Sequence, residues 1–301
     1  MSLTKTQEIT LKQEIERTKA GTKRNLTQIG NTITFEFKKN LKTFIIMLAF
    51  YAGIFSLFWL IQELQFAADV PLPDDPVDYI NGYMSMLGTL IIVSSATFGG
   101  SIIAEDFQKQ TGNLVFPKIG KTRLLIGRVT SHYILNGLCV AFYYILIGVF
   151  TFIKYEEIPM VLWGCMGWAL LYTFTLLAFV TFLSSFMKST SAAIITSILI
   201  LLMVFQMIPM ILQFAGVEDE PWFILTYYEG IITNSMAMPD PRYTELKMPT
   251  RAGGFQSGDL ATFIMWNTPT EQVALIGMAI YSGVLLFFAY IFYKRRQSKS
   301  E

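Results

Sequence analysis

Few side chains in this sequence have the type and spacing that catalysis or metal binding requires. Glu105 and Asp106 form an acidic pair where a long apolar segment ends. His132 is the single histidine, so a metal centre or a catalytic triad built on histidines is nearly excluded. Cys139 and Cys165 lie inside apolar segments, without disulfide or metal-ligand spacing, and are interpreted as small buried residues. We therefore predict that the chain is not an enzyme and holds no metal.

The nearest approach to a nucleotide-binding motif is Gly120-Lys121-Thr122. A Walker A loop reads G-x-x-x-x-G-K-[ST], and its backbone N–H groups hold phosphates. The position of the first glycine is occupied by Val115, and the tripeptide lies beside an apolar segment rather than after a strand. We expect no cofactor bound by this chain, so that if ATP drives the protein, another chain binds ATP.

The composition indicates which elements carry these residues. The chain is 53% hydrophobic and 15% charged, whereas soluble domains contain about 25% charged residues. Charged residues are concentrated in four stretches, with nearly uncharged segments between them: 1–42, 105–128, 217–259 and 294–301. This distribution is typical of a polytopic helical membrane protein.

The apolar segments are long enough to cross a bilayer as helices, which takes about 20 residues. The segment 158–216 is too long for one helix and is divided at Lys188-Ser189-Thr190-Ser191. The fold is predicted as all-α integral membrane. The six predicted spans are 41–62, 82–104, 130–153, 159–186, 192–215 and 270–293, with an insert at 217–269 and a tail at 297–301. Within the insert, Trp222–Thr233 is predicted as a short apolar or interfacial helix.

Two segments precede the first predicted span. Residues 1–25 are polar and are predicted to form a tail. In 26–40, apolar residues recur three to four positions apart, at Leu26, Ile29, Ile33 and Phe37. This spacing is typical of an amphipathic helix that lies in the membrane interface. A simple linker before the first span is the alternative.

Small residues recur four positions apart in the second predicted span, as Ser95-x-x-x-Gly99 and Ala96-x-x-x-Gly100. Small residues at this spacing let helices approach closely within lipid. The pattern is interpreted as helix packing, with a role in lining a transport pathway as the alternative.

The distribution of Lys and Arg predicts the orientation, since cytoplasmic loops are enriched in both. The N-terminal segment, 105–128 and 294–299 are basic, whereas 63–81 holds five acidic residues and no basic one. Both termini are therefore predicted to be cytoplasmic in a cell membrane, with the insert extracellular. Lys154 is the exception to this charge distribution, and its positive charge is offset by the adjacent acidic residues Glu156 and Glu157.

The predicted spans contain almost no ionisable residues. Ion-coupled carriers usually need buried carboxylates or unwound helices for coupling, and ionisable residues within spans usually mark function. The sequence also lacks an arginine ladder for voltage sensing and a repeated pore motif. These absences count against a secondary carrier or a channel.

The stretch 105–128 carries a local pattern that resembles a known family. After the acidic pair come Thr111-Gly112-Asn113-Leu114, Phe116-Pro117, Lys121-Thr122-Arg123 and Gly127-Arg128. This order resembles the permease subunits of ABC-2 type ABC transporters (type V exporter fold), particularly the branch similar to multicopper-enzyme maturation permeases. The predicted interfacial helix, six spans and insert also match, over about residues 26–296.

The resemblance implies that residues 106–122 form a coupling helix that docks on a separate ABC ATPase subunit. Leu114, Val115 and Phe116 would enter a groove of that ATPase. Lys188 would make a second, smaller contact. Four basic residues would contact acidic ATPase residues or lipid phosphates, or serve only as positive-inside anchors: Lys109, Lys118, Lys121 and Arg123.

Glu105 and Asp106 are interpreted either as a solvated helix end or as a polar contact with the interfacial helix or a partner. The family architecture implies two permease copies, identical or closely related, with two ATPases that bind ATP and Mg. Membrane lipids are further expected partners, and nucleic acid is not.

Two other functions remain open from the sequence. A membrane scaffold or assembly subunit would bind an extracytoplasmic partner through the insert and transport nothing. A secondary carrier or channel would move its substrate across the membrane without ATP. The sequence favours an exporter permease over both, and it does not identify a substrate.

Overall fold

The computed structural model describes residues 5–68, 71–108, 120–215, 217, 219–249 and 260–297. Within these residues, six helices are long and apolar enough to cross a membrane. The prediction of a helical membrane protein with six spans is thus confirmed. Spans 1 to 6 are Asn25–Ala67, Pro76–Gln108, Lys121–Tyr155, Val161–Ser184, Thr190–Leu212 and Glu271–Arg296.

The described residues form ten α-helices together with short segments of other helix types. The α-helices are α1 (Lys5–Ala67), α2 (Pro76–Met84), α3 (Leu87–Gly99), α4 (Ser101–Gln108), α5 (Lys121–Tyr155), α6 (Val161–Ser184), α7 (Thr190–Leu199), α8 (Phe205–Phe214), α9 (Gly230–Asn234) and α10 (Glu271–Gln297), as described. A π-helix (Ile200–Val204), a 3-10 helix (Leu225–Glu229) and the strands β1 (Tyr243–Pro249) and β2 (Leu260–Trp266) complete the described elements.

Span 2 lies at the centre of the bundle. Its most apolar window is 72% buried, compared with 17%, 11% and 17% for spans 1, 5 and 6. Span 1 packs along span 3, and span 6 packs along span 4. We call the end of the bundle where α4 ends and α5 begins the loop end, and the opposite end, where residues 219–249 and 260–269 lie, the insert end.

The N-terminal helix α1 is continuous over 63 residues, a length of about 95 Å at 1.5 Å per residue. Residues 5–67 contain no proline, and neither Gly30 nor Gly53 interrupts the helix. No break therefore separates the predicted tail, the predicted interfacial helix at 26–40 and span 1. The segment 26–40 continues straight into the span as one helix.

The 26–40 part of α1 contacts α5 through a polar face. Thr32 and Glu36 are 5% and 1% exposed, whereas Leu26 and Phe35 are 65% and 63% exposed. The buried face is thus centred on Thr32 and Glu36, and the predicted apolar residues Ile29, Ile33 and Phe37 lie half-buried beside it. Polar partners on α5 explain why this segment packs along the bundle.

The predicted loop at 105–128 is helical on both sides. α4 extends to Gln108, and α5 begins at Lys121, after Gly120 in an extended conformation with φ −62° and ψ 135°. The charged residues of both flanks led to the prediction of a loop, but several of these side chains form ion pairs inside the bundle. Residues 109–119, with Lys109, Leu114, Val115, Phe116 and Lys118, lie outside the described residues.

Span 5 changes its helix type along its length. Ser189 caps α7 by accepting a hydrogen bond from the Ala192 N–H at 3.2 Å. The π-helix Ile200–Val204 follows, and π segments inside helices are frequent at functional sites. α8 then contains Pro209, which has no N–H to continue the backbone ladder.

The insert adds a small sheet to the predicted all-α fold. β1 and β2 pair antiparallel, with Tyr243 opposite Trp266. The predicted helix at 222–233 is divided into the 3-10 helix and α9. Tyr227 and Tyr228 are buried in the protein.

Lys154, the exception to the charge rule, is paired at the insert end. Its Nζ lies 2.6 Å from Glu63 Oε1 near the end of α1 and 5.3 Å from the centre of the Phe66 ring. The carboxylate that pairs with Lys154 is therefore on span 1.

Candidate functional site

Five charged side chains from three spans come together at the loop end. Glu36 and Lys39 lie on span 1, Glu105 and Asp106 on span 2, and Arg128 on span 3. We call these five residues the charged cluster. Of the two interpretations of Glu105 and Asp106, the structure shows a polar contact within the chain, with the N-terminal helix and span 3, and not a solvated helix end.

Arg128 lies between two carboxylates of the charged cluster. Its Nε donates to Glu36 Oε1 at 2.9 Å, and its Nη1 donates to Asp106 Oδ2 at 2.7 Å and to the Ile102 carbonyl at 3.0 Å. The Arg128 side chain is 9% exposed, and those of Glu36 and Asp106 are 1% and 2% exposed. An unpaired ion buried in this way costs several kcal/mol, so the three charges stay buried only together.

Lys39 connects Glu36 to Glu105 within the charged cluster, and Tyr293 adds a contact from span 6. Lys39 Nζ lies 3.2 Å from Glu36 Oε2 and also donates to the Glu105 carboxylate. The Tyr293 hydroxyl, on span 6, donates to Asp106 Oδ2 at 2.9 Å. Direct hydrogen bonds of the charged cluster therefore connect spans 1, 2, 3 and 6.

His132 belongs to a second polar group beside the charged cluster. Its Nδ1 lies 2.8 Å from the Arg128 carbonyl, and because a carbonyl only accepts, Nδ1 carries the proton. Nε2 then accepts from Asn40 Nδ2 at 3.2 Å, and Ser101 Oγ lies 3.3 Å from it. Both nitrogens of a neutral imidazole are thus used, and His132 connects spans 1, 2 and 3 as a structural residue.

Gly127 allows span 1 to approach span 3 closely enough for these contacts. A Cβ added at Gly127 would lie 2.8 Å from the Thr32 Cβ and 3.3 Å from the Ile29 carbonyl oxygen. Real Cβ atoms are not found at the shorter distance. The glycine next to Arg128 is therefore needed to bring Arg128 to Glu36.

The remaining predicted basic residues at the loop end have different environments. Arg123 Nη1 donates to Gln28 Oε1 on span 1 at 2.6 Å, so Arg123 makes a contact within the chain. Lys121 is half-buried in the first turn of α5. Lys188 is exposed in the turn between spans 4 and 5, as a contact with a soluble partner would require.

The turn that carries Lys188 is connected to spans 2 and 6. Arg296 Nη1 donates to the carbonyls of Ser185 and Met187 at 3.0 Å and 2.7 Å. Gln108 Oε1, at the end of α4, accepts from the Thr190 N–H at 3.0 Å. Together with the charged cluster, these bonds join all six spans at the loop end.

Ser95, Gly99 and Gly100 lie where span 2 contacts other spans. Ser95 Oγ accepts from Asn136 Nδ2 on span 3 at 2.9 Å. A Cβ added at Gly99 or Gly100 would lie 2.8 Å or 2.6 Å from side chains of spans 4 and 5. Within this chain, these small residues give the close packing expected of their spacing.

Glu36, His132 and Tyr293 were not predicted to take part in these polar groups, and Arg128 was predicted only as part of a motif. A signal for most of them was present. Polar residues recur every four positions in two helices, which places them on one face of each helix. The two recurring sets are Thr32, Glu36 and Asn40 on α1, and Arg128, His132 and Asn136 on α5.

Comparison with known proteins does not assign the chain to a family: no protein-family model and no curated protein sequence matches it. In the part of the chain that the structure describes, no group of three or more His, Cys, Asp or Glu residues is arranged to hold a metal ion. The geometry of the loop end is therefore the main guide to function.

Proposed function

We propose that this chain is the transmembrane permease subunit of an ATP-driven exporter of the ABC-2 type, and that it works as a dimer with two separate ATPase subunits. The observation that carries the proposal is the charged cluster. It ties α4 and α5, the helices on either side of residues 109–119, to spans 1 and 6. A partner that moves residues 109–119 would therefore move four spans together.

Residues 109–119 have the composition that a docking segment needs. Leu114, Val115 and Phe116 form a short apolar stretch between Lys109 and Lys118. Apolar anchors of this kind supply most of the binding energy at many interfaces. In this proposal Glu105 and Asp106 transmit the movement inside the bundle, and residues 109–119 bind the ATPase together with the exposed Lys188.

The partner ATPase would bind ATP and Mg, and this chain would perform no covalent chemistry. The loop end and both termini would face the cytoplasm of a cell membrane, as the excess of Lys and Arg there favours. The insert would face outwards, and each of the two permease copies would supply half of the transport pathway.

A membrane scaffold is the second candidate. It is favoured by the folded state of the insert, in which the 3-10 helix and α9 contact spans 4 and 6. A scaffold would bind an extracytoplasmic protein through this surface, and the loop end would bind no ATPase.

Affinity purification of the chain from its native membranes tests the proposal. We expect purification in mild detergent to give a complex of two permeases and two ATPases by native mass spectrometry. A chain that runs without an ATPase would overturn the proposal, and capture of an extracytoplasmic protein alone would favour the scaffold.

The docking segment is tested by the double variant Leu114→Asp and Phe116→Asp. We expect it to lose the ATPase while inserting in the membrane at wild-type levels, because two charges would replace the apolar anchors. Met160→Asp is the matched control, since Met160 is 83% exposed at the insert end. Wild-type ATPase binding by the double variant would contradict the assignment of residues 109–119.

A further inference from the structure

A cavity of about 800 Å³ lies at the insert end. Its walls come from the start of span 2, the end of span 5, the 3-10 helix and α9 of the insert, and strand β2. We propose that this cavity binds an amphipathic cation, with the charged group beside Glu229 and the apolar body against methionine and tryptophan side chains. This inference goes beyond the proposed permease function, because binding requires no ATPase.

The lining of the cavity has an apolar part and an acidic part. Met84, Met210, Met265 and Trp266 are among its apolar residues. Thioether and aromatic groups are polarisable and attract organic cations. Glu229 and Asp219 contribute carboxyl groups, whereas no lysine, arginine or histidine lines the cavity within the described part of the chain. The lining therefore favours a cation over an anion of the same shape.

The insert holds the Glu229 carboxyl against span 2. Glu229 is the last residue of the 3-10 helix, which is fixed by a hydrogen bond from the Tyr227 hydroxyl to Glu220 Oε1 at 2.8 Å. The carboxyl lies so close to Gly88 that a Cβ at that position would overlap it. Glycine at 88 thus makes the space that the Glu229 side chain occupies.

Two other acidic side chains at the insert end have basic partners. Glu220 pairs with Arg242 at 3.0 Å, and Glu63 pairs with Lys154 at 2.6 Å. Glu229 has no basic partner among the described residues. The buried Tyr172 hydroxyl interacts with the Glu229 carboxyl, but a hydroxyl brings no positive charge. A bound cation would supply the charge that the protein does not.

The electrostatic surroundings of Glu229 agree with this role. Burial raises the pKa of Glu229 to about 7, and the Tyr172 hydroxyl opposes this shift. Asp219 lines the same cavity, and Arg242, which pairs with Glu220, lies 5.3 Å from the centre of the Trp266 ring. Because a cation favours the ionised carboxyl, we expect affinity to rise with pH through neutrality.

The volume of the cavity is within the range of about 300–1,000 Å³ that is usual for small-molecule sites. It admits a bulky organic ion and not only a metal ion. Tetraphenylphosphonium and tetraphenylborate form a suitable pair of probes, since they have nearly the same shape and opposite charge.

Isothermal titration of the purified chain in lipid nanodiscs, with empty nanodiscs subtracted, measures both probes. We expect saturable binding of tetraphenylphosphonium at one site per chain, and at least about tenfold weaker binding of tetraphenylborate. Glu229→Gln should weaken cation binding by a similar factor, whereas Glu157→Gln, at an exposed position away from the cavity, should not. Equal affinity for the two probes, or wild-type affinity in Glu229→Gln, would overturn the inference.

A second measurement uses the wild-type chain, so it does not depend on the folding of a variant. Dicyclohexylcarbodiimide reacts with protonated carboxyl groups in apolar surroundings, and peptide mass spectrometry locates the adduct. We expect modification of Glu229 and its suppression by tetraphenylphosphonium but not by tetraphenylborate. Modification that the cation leaves unchanged would place the bound probe elsewhere and refute the site. Neither outcome depends on whether an ATPase binds the loop end.

Discussion

Arg128 and Glu229 are ionisable residues at opposite ends of the bundle, and they differ in what surrounds their charge. Arg128 contacts two carboxylates and a backbone carbonyl, so that its Nε and Nη1 donors are used within the chain. Glu229 contacts no base among the described residues and borders a cavity. The paired charge of Arg128 connects helices. The carboxyl of Glu229, which has no basic partner among the described residues, is suited to bind a cationic ligand.

Arg128→Met should be strongly destabilising, because it leaves Glu36 and Asp106 buried without their shared cation. The loss of one partner from a buried ion pair costs about 3–5 kcal/mol. Chemical unfolding in detergent at pH 7 measures the change. Lys294→Met removes a charge from an exposed position of span 6 and should change stability by less than about 0.5 kcal/mol. Equal losses in the two variants would show that the charged cluster is not a stabilising contact.

Glu229 should make the stability of the protein depend on pH in a defined direction. Its pKa rises from 4.5 to about 7 in the folded protein, so the folded state keeps a proton that the unfolded chain releases. The stabilisation is complete below pH 4.5, decreases as the pH rises towards 7, and is absent above it. Thermal unfolding from pH 5 to pH 8 should show this decrease in the wild type relative to Glu229→Gln. Parallel curves for the two proteins would contradict the raised pKa.

At the residue scale, sequence reasoning recognised Glu105 and Asp106 and left their environment open. The partners were missed because Glu36 and Arg128 are distant in sequence and lie in segments that were assigned to an interface and to a loop. Composition identifies a charged residue, but only the pairing of helices determines whether its charge is solvated or buried. The four-residue spacing of polar residues on α1 and α5 was the available signal.

At the scale of elements, the contact between α1 and α5 depends on the absence of a side chain at Gly127. Gly127→Ala should push the helices apart, because its Cβ would lie 2.8 Å from the Thr32 Cβ. Overpacking of this kind costs about 1–3 kcal/mol. Gly53→Ala is the matched control on α1, where an added Cβ meets no atom within 4 Å, and should be neutral or stabilising by up to about 1 kcal/mol. A neutral Gly127→Ala would mean that the helices can separate without loss.

The six spans could be predicted because length and apolarity alone determine whether a helix can cross a bilayer. The continuity of α1 could not be predicted from the sequence, since a polar and basic segment before a span is compatible with a tail, an interfacial helix or a longer helix. The hairpin of β1 and β2 was also missed. Its strands contain Tyr, Thr, Phe, Ile and Trp, which favour strands, but they were read as part of a long polar insert.

At the scale of the whole molecule, the two ends of the bundle are built for different tasks. The loop end holds its charges in contacts that join the spans, and Lys188 remains exposed there. The insert end contains the cavity and the unpaired carboxyl of Glu229. In the proposed exporter, the ATPase would move the bundle at the loop end, and the cation site would open at the insert end.

The proposed orientation predicts which end reacts with a reagent outside the cell. Cys139 and Cys165 are buried, and their replacement by Ala gives a parent for single-cysteine variants. We expect a membrane-impermeant maleimide to label Glu157→Cys at the insert end in intact cells, and to label Lys188→Cys at the loop end only after permeabilisation. The parent should not react under either condition. Labelling of Lys188→Cys in intact cells would place the loop end outside, away from cytoplasmic ATP, and the proposed coupling to an ATPase would then be impossible.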